Sequence, residues 1–131
     1  VGITGGTTKE QLVRATLESI AYQVKDNLDV MVKDSGIPIE VMRVDGGAVV
    51  NEFLMQFQAD CLRVPINCSD VEEASALGAV VMNGMARKIW TSFEQVAVLR
   101  RSRYRIEPQG NLPLMEKWCE GWLKAVNQLI G

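Results

Sequence analysis

The heptapeptide Asp45-Gly46-Gly47-Ala48-Val49-Val50-Asn51 constrains this chain more than any other stretch. An apolar strand pattern, Val41-Met42-Arg43-Val44, runs into it. Val50, Phe53, Leu54, Phe57 and Cys61 leave it on one face at helical spacing. A Gly-Gly turn between a buried strand and a helix start brings bare backbone within reach of a ligand. The helix start adds free N–H groups and the positive end of a dipole, which suit phosphate or another polar ligand. Asn51 stands where a side chain can cap that helix or read a ligand edge. Asp-Gly between apolar residues is also a hairpin signal, but Asn51 to Leu62 repeats with a period of about 3.6 rather than about 2. A dinucleotide fingerprint fits worse, because G-x-G-x-x-G is absent. A strand–turn–helix with no ligand satisfies the same residues.

The chain has 131 residues, one domain's worth and enough for a real core. Net charge is −2 and pI about 5.2, so bulk electrostatics give no case for nucleic acid or an anionic membrane. Apolar runs such as Ala76 to Met82 are too short to span a bilayer, and no signal-peptide pattern is present. Three cysteines, Cys61, Cys68 and Cys119, lack C-x-x-C spacing, which argues against a disulfide framework or a zinc site and for a reducing, cytoplasmic setting. The chain contains no histidine, which removes histidine-based triads and histidine metal sites. It opens with Val1 and enters structure almost at once, the pattern of a piece of something larger.

Thr7 and Thr8 precede Glu10 and Gln11 as two overlapping capping boxes. Leu12, Thr16, Ser19, Ile20, Val24, Leu28 and Met31 form one stripe, and Gly36 before Ile37-Pro38 is a stop. These predict a helix from about Lys9 to Ser35. A strand follows near Glu40–Asp45, a helix near Asn51–Leu62, and a strand near Arg63–Asn67 whose Pro65 argues for an edge or a strand end. Ser69 or Asp70 can cap a third helix running through Glu73 to Met85. A short helix near Ser92–Gln95, an extended stretch from Arg101 to Glu107 and a final amphipathic helix complete the chain. In the last helix Met115, Trp118, Trp122, Val126 and Leu129 share one side behind Pro113. Helix-separated strands imply parallel pairing. Two such strands make a poor sheet, so the helices have the look of covers for strands that are missing.

Leu99-Arg100-Arg101-Ser102-Arg103-Tyr104-Arg105 invites a nucleic-acid reading, but a charged edge that resists stray pairing explains Arg101, Arg103 and Arg105 and agrees with the acidic total. Glu72 and Glu73 suit the first turn of a helix, and Ala76, Gly78 and Ala79 predict either tight packing or a place beside a ligand pocket. Trp90, Trp118 and Trp122 read as core or interface residues. No pair of carboxylates is spaced for acid–base catalysis.

Four colinear motifs then resemble one family, the glycerol kinase branch of the FGGY carbohydrate kinases. Val44-Asp45-Gly46-Gly47-Ala48-Val49-Val50-Asn51, continued by Phe53-Leu54-Met55-Gln56-Phe57-Gln58-Ala59-Asp60, is similar to that branch's signature. Gly2-Ile3-Thr4-Gly5-Gly6-Thr7 resembles its G-L-T-x-G-T. Ala15-Thr16-Leu17-Glu18-Ser19-Ile20-Ala21-Tyr22-Gln23 resembles its A-x-L-E-x-I-A-Y-Q helix. Glu73 to Ala79 resembles its E-x-T-A-L-G-A, with Ser75 in place of Thr. The match is strong over residues 2–90 and weak beyond.

The resemblance implies an α/β fold, part of a ribonuclease-H-like ATPase domain of the actin, Hsp70 and hexokinase type. Residues 1–131 would be the C-terminal segment of the second FGGY domain, with 100–131 its closing strand and helix. In that family two such domains clamp ATP. Carried over, Gly47 lies against the nucleotide, Asn51 contacts the base, and Gly46 and Ala48 leave room. The catalytic aspartate, polyol site and magnesium ligands would lie upstream, and Asp45 would be a strand-end residue that shapes the turn. The implied reaction of the whole protein is transfer of the ATP γ-phosphoryl group to glycerol, in the cytoplasm. The low net charge predicts neither nucleic-acid nor membrane partners, and the cut sheet predicts that this segment self-associates as a homo-oligomer, most simply a symmetric dimer. This segment would supply one wall of the nucleotide cleft and be inactive alone. Another FGGY sugar or polyol kinase is a second reading, and a non-catalytic interaction domain that kept the fold is a third.

Overall fold

Three strands and five α-helices form among the residues that the structure, a computed structural model, describes: 1–70, 73–97 and 102–130. Helix α1 (Lys9–Ser35) starts on a reciprocal capping box. Thr8 Oγ1 accepts from Gln11 N, and Thr8 N donates to Gln11 Oε1 at 3.0 Å. Gly36 ends the helix at φ 68°, the left-handed conformation glycine adopts without a steric cost.

Strand β1 (Met42–Val44), helix α2 (Glu52–Leu62) and strand β2 (Ile66–Ser69) make a β-α-β unit. The two strands pair in parallel, with Met42 opposite Ile66 and Val44 opposite Cys68. Strand β3 (Ser102–Ile106) adds antiparallel to β2, so the order is β1-β2-β3 and β2 is central. Pro65 is therefore a strand-end residue and not an edge one. It precedes β2, where no N–H is needed, and its carbonyl accepts from Met42 N at 2.9 Å.

Helix α2 lies on the sheet and carries the core. Ile66 and Cys68 point up from β2 with no exposed surface, against Leu54, Met55, Phe57, Ala59 and Cys61. Helices α1 and α5 (Leu112–Ile130) pack on α2 through aromatic rings. Tyr22 meets Phe57 edge-on at 5.5 Å and stacks on Trp122 at 5.4 Å. Phe57 also stacks on Trp118, and Trp122 Nε1 donates to Asp26 Oδ2 at 2.7 Å. On the other face of the sheet, Arg43, Asn67 and Arg105 share one polar row. Helices α3 (Ala74–Ala86) and α4 (Phe93–Ala97) follow β2 in the chain, and Phe93 and Ala97 of α4 border a recess over Arg43 and Asn67.

Four expectations need correction. The stripe assigned to α1 is not its packing face: Ala21 and Tyr22 are buried, while Leu12, Ile20 and Met31 stay exposed. Leu129 is 81% exposed and is not part of the buried side of α5. Neither Ser69 nor Asp70 caps α3, which begins after Glu73 with no side-chain cap. Ser69 instead closes β2 and is buried. The third strand completes a small sheet, and Arg103 and Arg105 stand exposed on it while Tyr104 and Ile106 turn toward the core. Glu72, Leu99, Arg100 and Arg101 lie outside the described residues.

Candidate functional site

β1 delivers the chain to Asp45 at the carboxyl end of the parallel pair, the edge where open α/β sheets bind ligands. Gly46 follows at φ 86° and ψ −179°, a region essentially closed to side chains. It redirects the backbone from the sheet into a 3-10 turn, Gly47–Val50. Gly47 is different. Its φ is ordinary, and a Cβ built on it would meet nothing within 4 Å. Packing within the described residues does not call for glycine there, whereas a ligand approaching the backbone would.

The turn has an inner and an outer side. Val49, 2% exposed, plugs into the core, while Gly47, Ala48 and Val50 face out. Val49 N donates to Gly46 O at 3.3 Å and Asn51 N to Ala48 O at 3.1 Å. The N–H groups of Gly47 and Ala48 come before the first of these bonds and are not consumed by them. The hydroxyl of Tyr104 donates to Val49 O from β3. Burial pushes the Tyr104 phenol up to about 12, with a contact to Cys68 adding to it, so it is a protonated donor at neutral pH.

Asn51 caps α2: its Oδ1 accepts from Leu54 N at 3.0 Å. That leaves the Nδ2 amide as the donor end of the side chain. Both readings of Asn51 are therefore compatible, through different atoms. Gly46, Gly47, Ala48 and Asn51 lie in one turn, with Gly47 and Ala48 exposed and Gly46 and Asn51 half-buried. Asp45 lines a recess of about 290 Å³ with Ser69, Ala74, Leu77 and Gly78. A Cβ on Gly78 would meet nothing within 4 Å, so the small face of α3 opens on this recess and not on a neighbouring backbone. Among the described residues no three His, Cys, Asp or Glu side chains lie close enough to hold a metal ion.

The model of the C-terminal domain of the FGGY carbohydrate kinases matches residues 1–87. The chain belongs to the FGGY family of carbohydrate kinases. It is 50% identical over its whole length to glycerol kinase 2 of Thermotoga maritima, of which it spans 26%. It superposes on a Plasmodium falciparum glycerol kinase crystallised with ADP at a TM-score of 0.80, with 36% identity, over 98% of this chain and 26% of that one. A xylulose kinase from Lactobacillus acidophilus gives a TM-score of 0.83 over 100% of this chain and 27% of that one, at 19% identity, a likeness of fold alone. The chain thus spans about a quarter of the FGGY kinases it matches. The fold class is the one implied by its motifs, part of an actin- and hexokinase-type domain. No helix among the described residues is long and apolar enough to cross a membrane.

Sequence reasoning missed three residues that shape this FGGY turn and its surroundings. Tyr104 reaches Val49 across 55 positions, a contact that only the β2–β3 pairing reveals. Asp60 Oδ1 accepts from Gln109 N at 2.7 Å and Gly110 N at 2.8 Å, fixing the loop before α5. Asn111 then caps α5 through Leu114 N at 3.2 Å. An Asn two residues before Pro113 was the one local signal available for the last of these.

Proposed function

We propose that this chain is the nucleotide-side C-terminal segment of an ATP-dependent glycerol kinase. The observation that carries the reading is the turn itself. Its buried Val49 and Gly46 bend set the exposed Gly47–Ala48 backbone and the Asn51 amide on one surface at the start of α2. ATP would lie against Gly47, with Gly46 and Ala48 leaving room and Asn51 Nδ2 donating to an acceptor on the base edge. ATP and ADP bind there, magnesium is held by residues outside this chain, and the full-length protein phosphorylates glycerol in the cytoplasm to give glycerol 3-phosphate. Residues 1–131 belong to its second domain, with 100–131 the closing strand and helix.

Phosphoryl transfer of this kind is catalysed chiefly by positioning and electrostatics. This segment contributes positioning of the nucleotide. The near 50% identity to glycerol kinases, against 19% to a xylulose kinase, favours glycerol over a sugar. The test is ADP formation by the full-length protein with ATP and either glycerol, xylulose or gluconate. Glycerol should dominate by at least about tenfold in kcat/KM, the margin that about 1.4 kcal/mol of transition-state binding provides. Dominance of xylulose or gluconate would reassign the substrate, and a protein that binds no nucleotide would sink the reading.

A further inference from the structure

Gly46 and Gly47 make the turn costly to fix, because glycine loses more backbone freedom on ordering than any other residue. A ligand that must order such a turn binds less tightly than one that meets it already held. The structure shows what holds it. Tyr104 lies across from Cys68 on β2, and Cys68 lies across from Val44 on β1. The three residues form one row across the sheet, and the row ends where β1 passes into the turn. From β3 the Tyr104 phenol reaches beyond Cys68 and donates to the carbonyl of Val49. The two backbone bonds of the turn, to Gly46 O and Ala48 O, close it on itself and do not attach it to the sheet. The phenol does attach it.

We propose that Tyr104 is a positioning residue for the nucleotide. By holding the Val49 carbonyl it sets the height of the Gly47–Asn51 segment over the sheet, and with it the direction of the Gly47 backbone and the Asn51 amide. The inference rests on the nucleotide-binding reading of the turn. The hydroxyl, not the ring, does the work. The ring packs at the border of the core, as a phenylalanine also would. Arg103 and Arg105 beside it are exposed on β3.

The test is Tyr104→Phe in the full-length kinase, with Asn51→Ala as the reference for the turn. Loss of one neutral hydrogen bond should raise the KM for ATP about fivefold. The KM for glycerol should hold and the melting temperature should fall only slightly, because the ring and its packing are retained. Deuterium uptake by residues 46–51 should speed up without nucleotide and slow again when ADP is added. If Tyr104→Phe leaves ATP binding and exchange unchanged while Asn51→Ala weakens ATP, the site stands and Tyr104 has no part in it. If Asn51→Ala also leaves ATP unchanged, the nucleotide reading fails and this inference goes with it. An equal fall in ATP affinity, glycerol affinity and melting temperature would show a general structural role and overturn the proposal.

Discussion

Asn51 caps α2 through Oδ1, which accepts from Leu54 N at 3.0 Å, and the proposed nucleotide contact falls to Nδ2; two substitutions separate the two atoms. Asn51→Ala removes both. Loss of the cap should cost about 1 kcal/mol of stability. Loss of the amide contact should weaken ATP on the order of 10- to 100-fold, or about 1–3 kcal/mol. Asn51→Asp keeps an acceptor of equal capping strength. Its charge at the start of α2 also favours the helix by about 0.3–1 kcal/mol. Stability should then match or slightly exceed the parent. Nucleotide affinity should still fall at least as far as in Asn51→Ala, because the donor is gone and a carboxylate now faces an anionic ligand. Calorimetric titration of the full-length proteins with ADP, beside thermal melts without nucleotide, reads the two effects apart. Parent-like ADP affinity in Asn51→Asp would refute the donor role. A melt of Asn51→Asp as low as that of Asn51→Ala would refute the capping role.

A Cβ at Gly84 would sit 2.3 Å and 2.4 Å from Trp90 ring atoms. Gly84→Ala should therefore lose about 1–3 kcal/mol to overpacking, more than the roughly 1 kcal/mol that alanine gains in a helix; a urea midpoint above the parent's would contradict this. Burial first, and then Cys119 beside it, push the Cys61 thiol from 9.0 up to about 12. The neutral thiol thus supports the fold fully below about pH 9, and the support is lost as pH rises toward 12. Alkaline melts of Cys61→Val should slope less than the parent's over that window, and identical slopes would count against it. The isolated 131-residue chain should turn over no glycerol with ATP, and it should self-associate through the exposed Leu12, Ile20 and Met31 of α1. Sedimentation of a folded monomer that binds no apolar dye would show that these surfaces need no cover.

Local rules made much of this molecule legible. The Thr8 box and Gly36 bracket α1 within a few residues, so capping chemistry fixes that helix almost to the residue. The helix after the Gly-Gly bend followed from a change of period around Asn51, and the parallel pairing from the helix between the strands. What stayed hidden depends on neighbours distant in sequence. The α1 stripe misled because its buried face is chosen by Phe57 of α2 and Trp122 of α5, not by periodicity. The start of α3 was placed too early because Ser69 is taken into β2. The turn of Gly46, Gly47, Ala48 and Asn51 was legible from one heptapeptide, but Tyr104, the residue bonded to it from β3, was not.

The hydrogen bond from Tyr104 to Val49 also bears on the order in which the protein is made. Synthesis produces the whole heptapeptide before the tyrosine that steadies it, which follows Val49 by 55 positions. A nascent chain halted between them holds Gly47 and Asn51 but no β3, and its turn lacks the Tyr104 bond to Val49 O. Competence to hold nucleotide should thus arrive late, as β3 docks on β2. A premature stop codon anywhere after Asn51 and before Tyr104 would then silence the site while leaving each of its own residues intact.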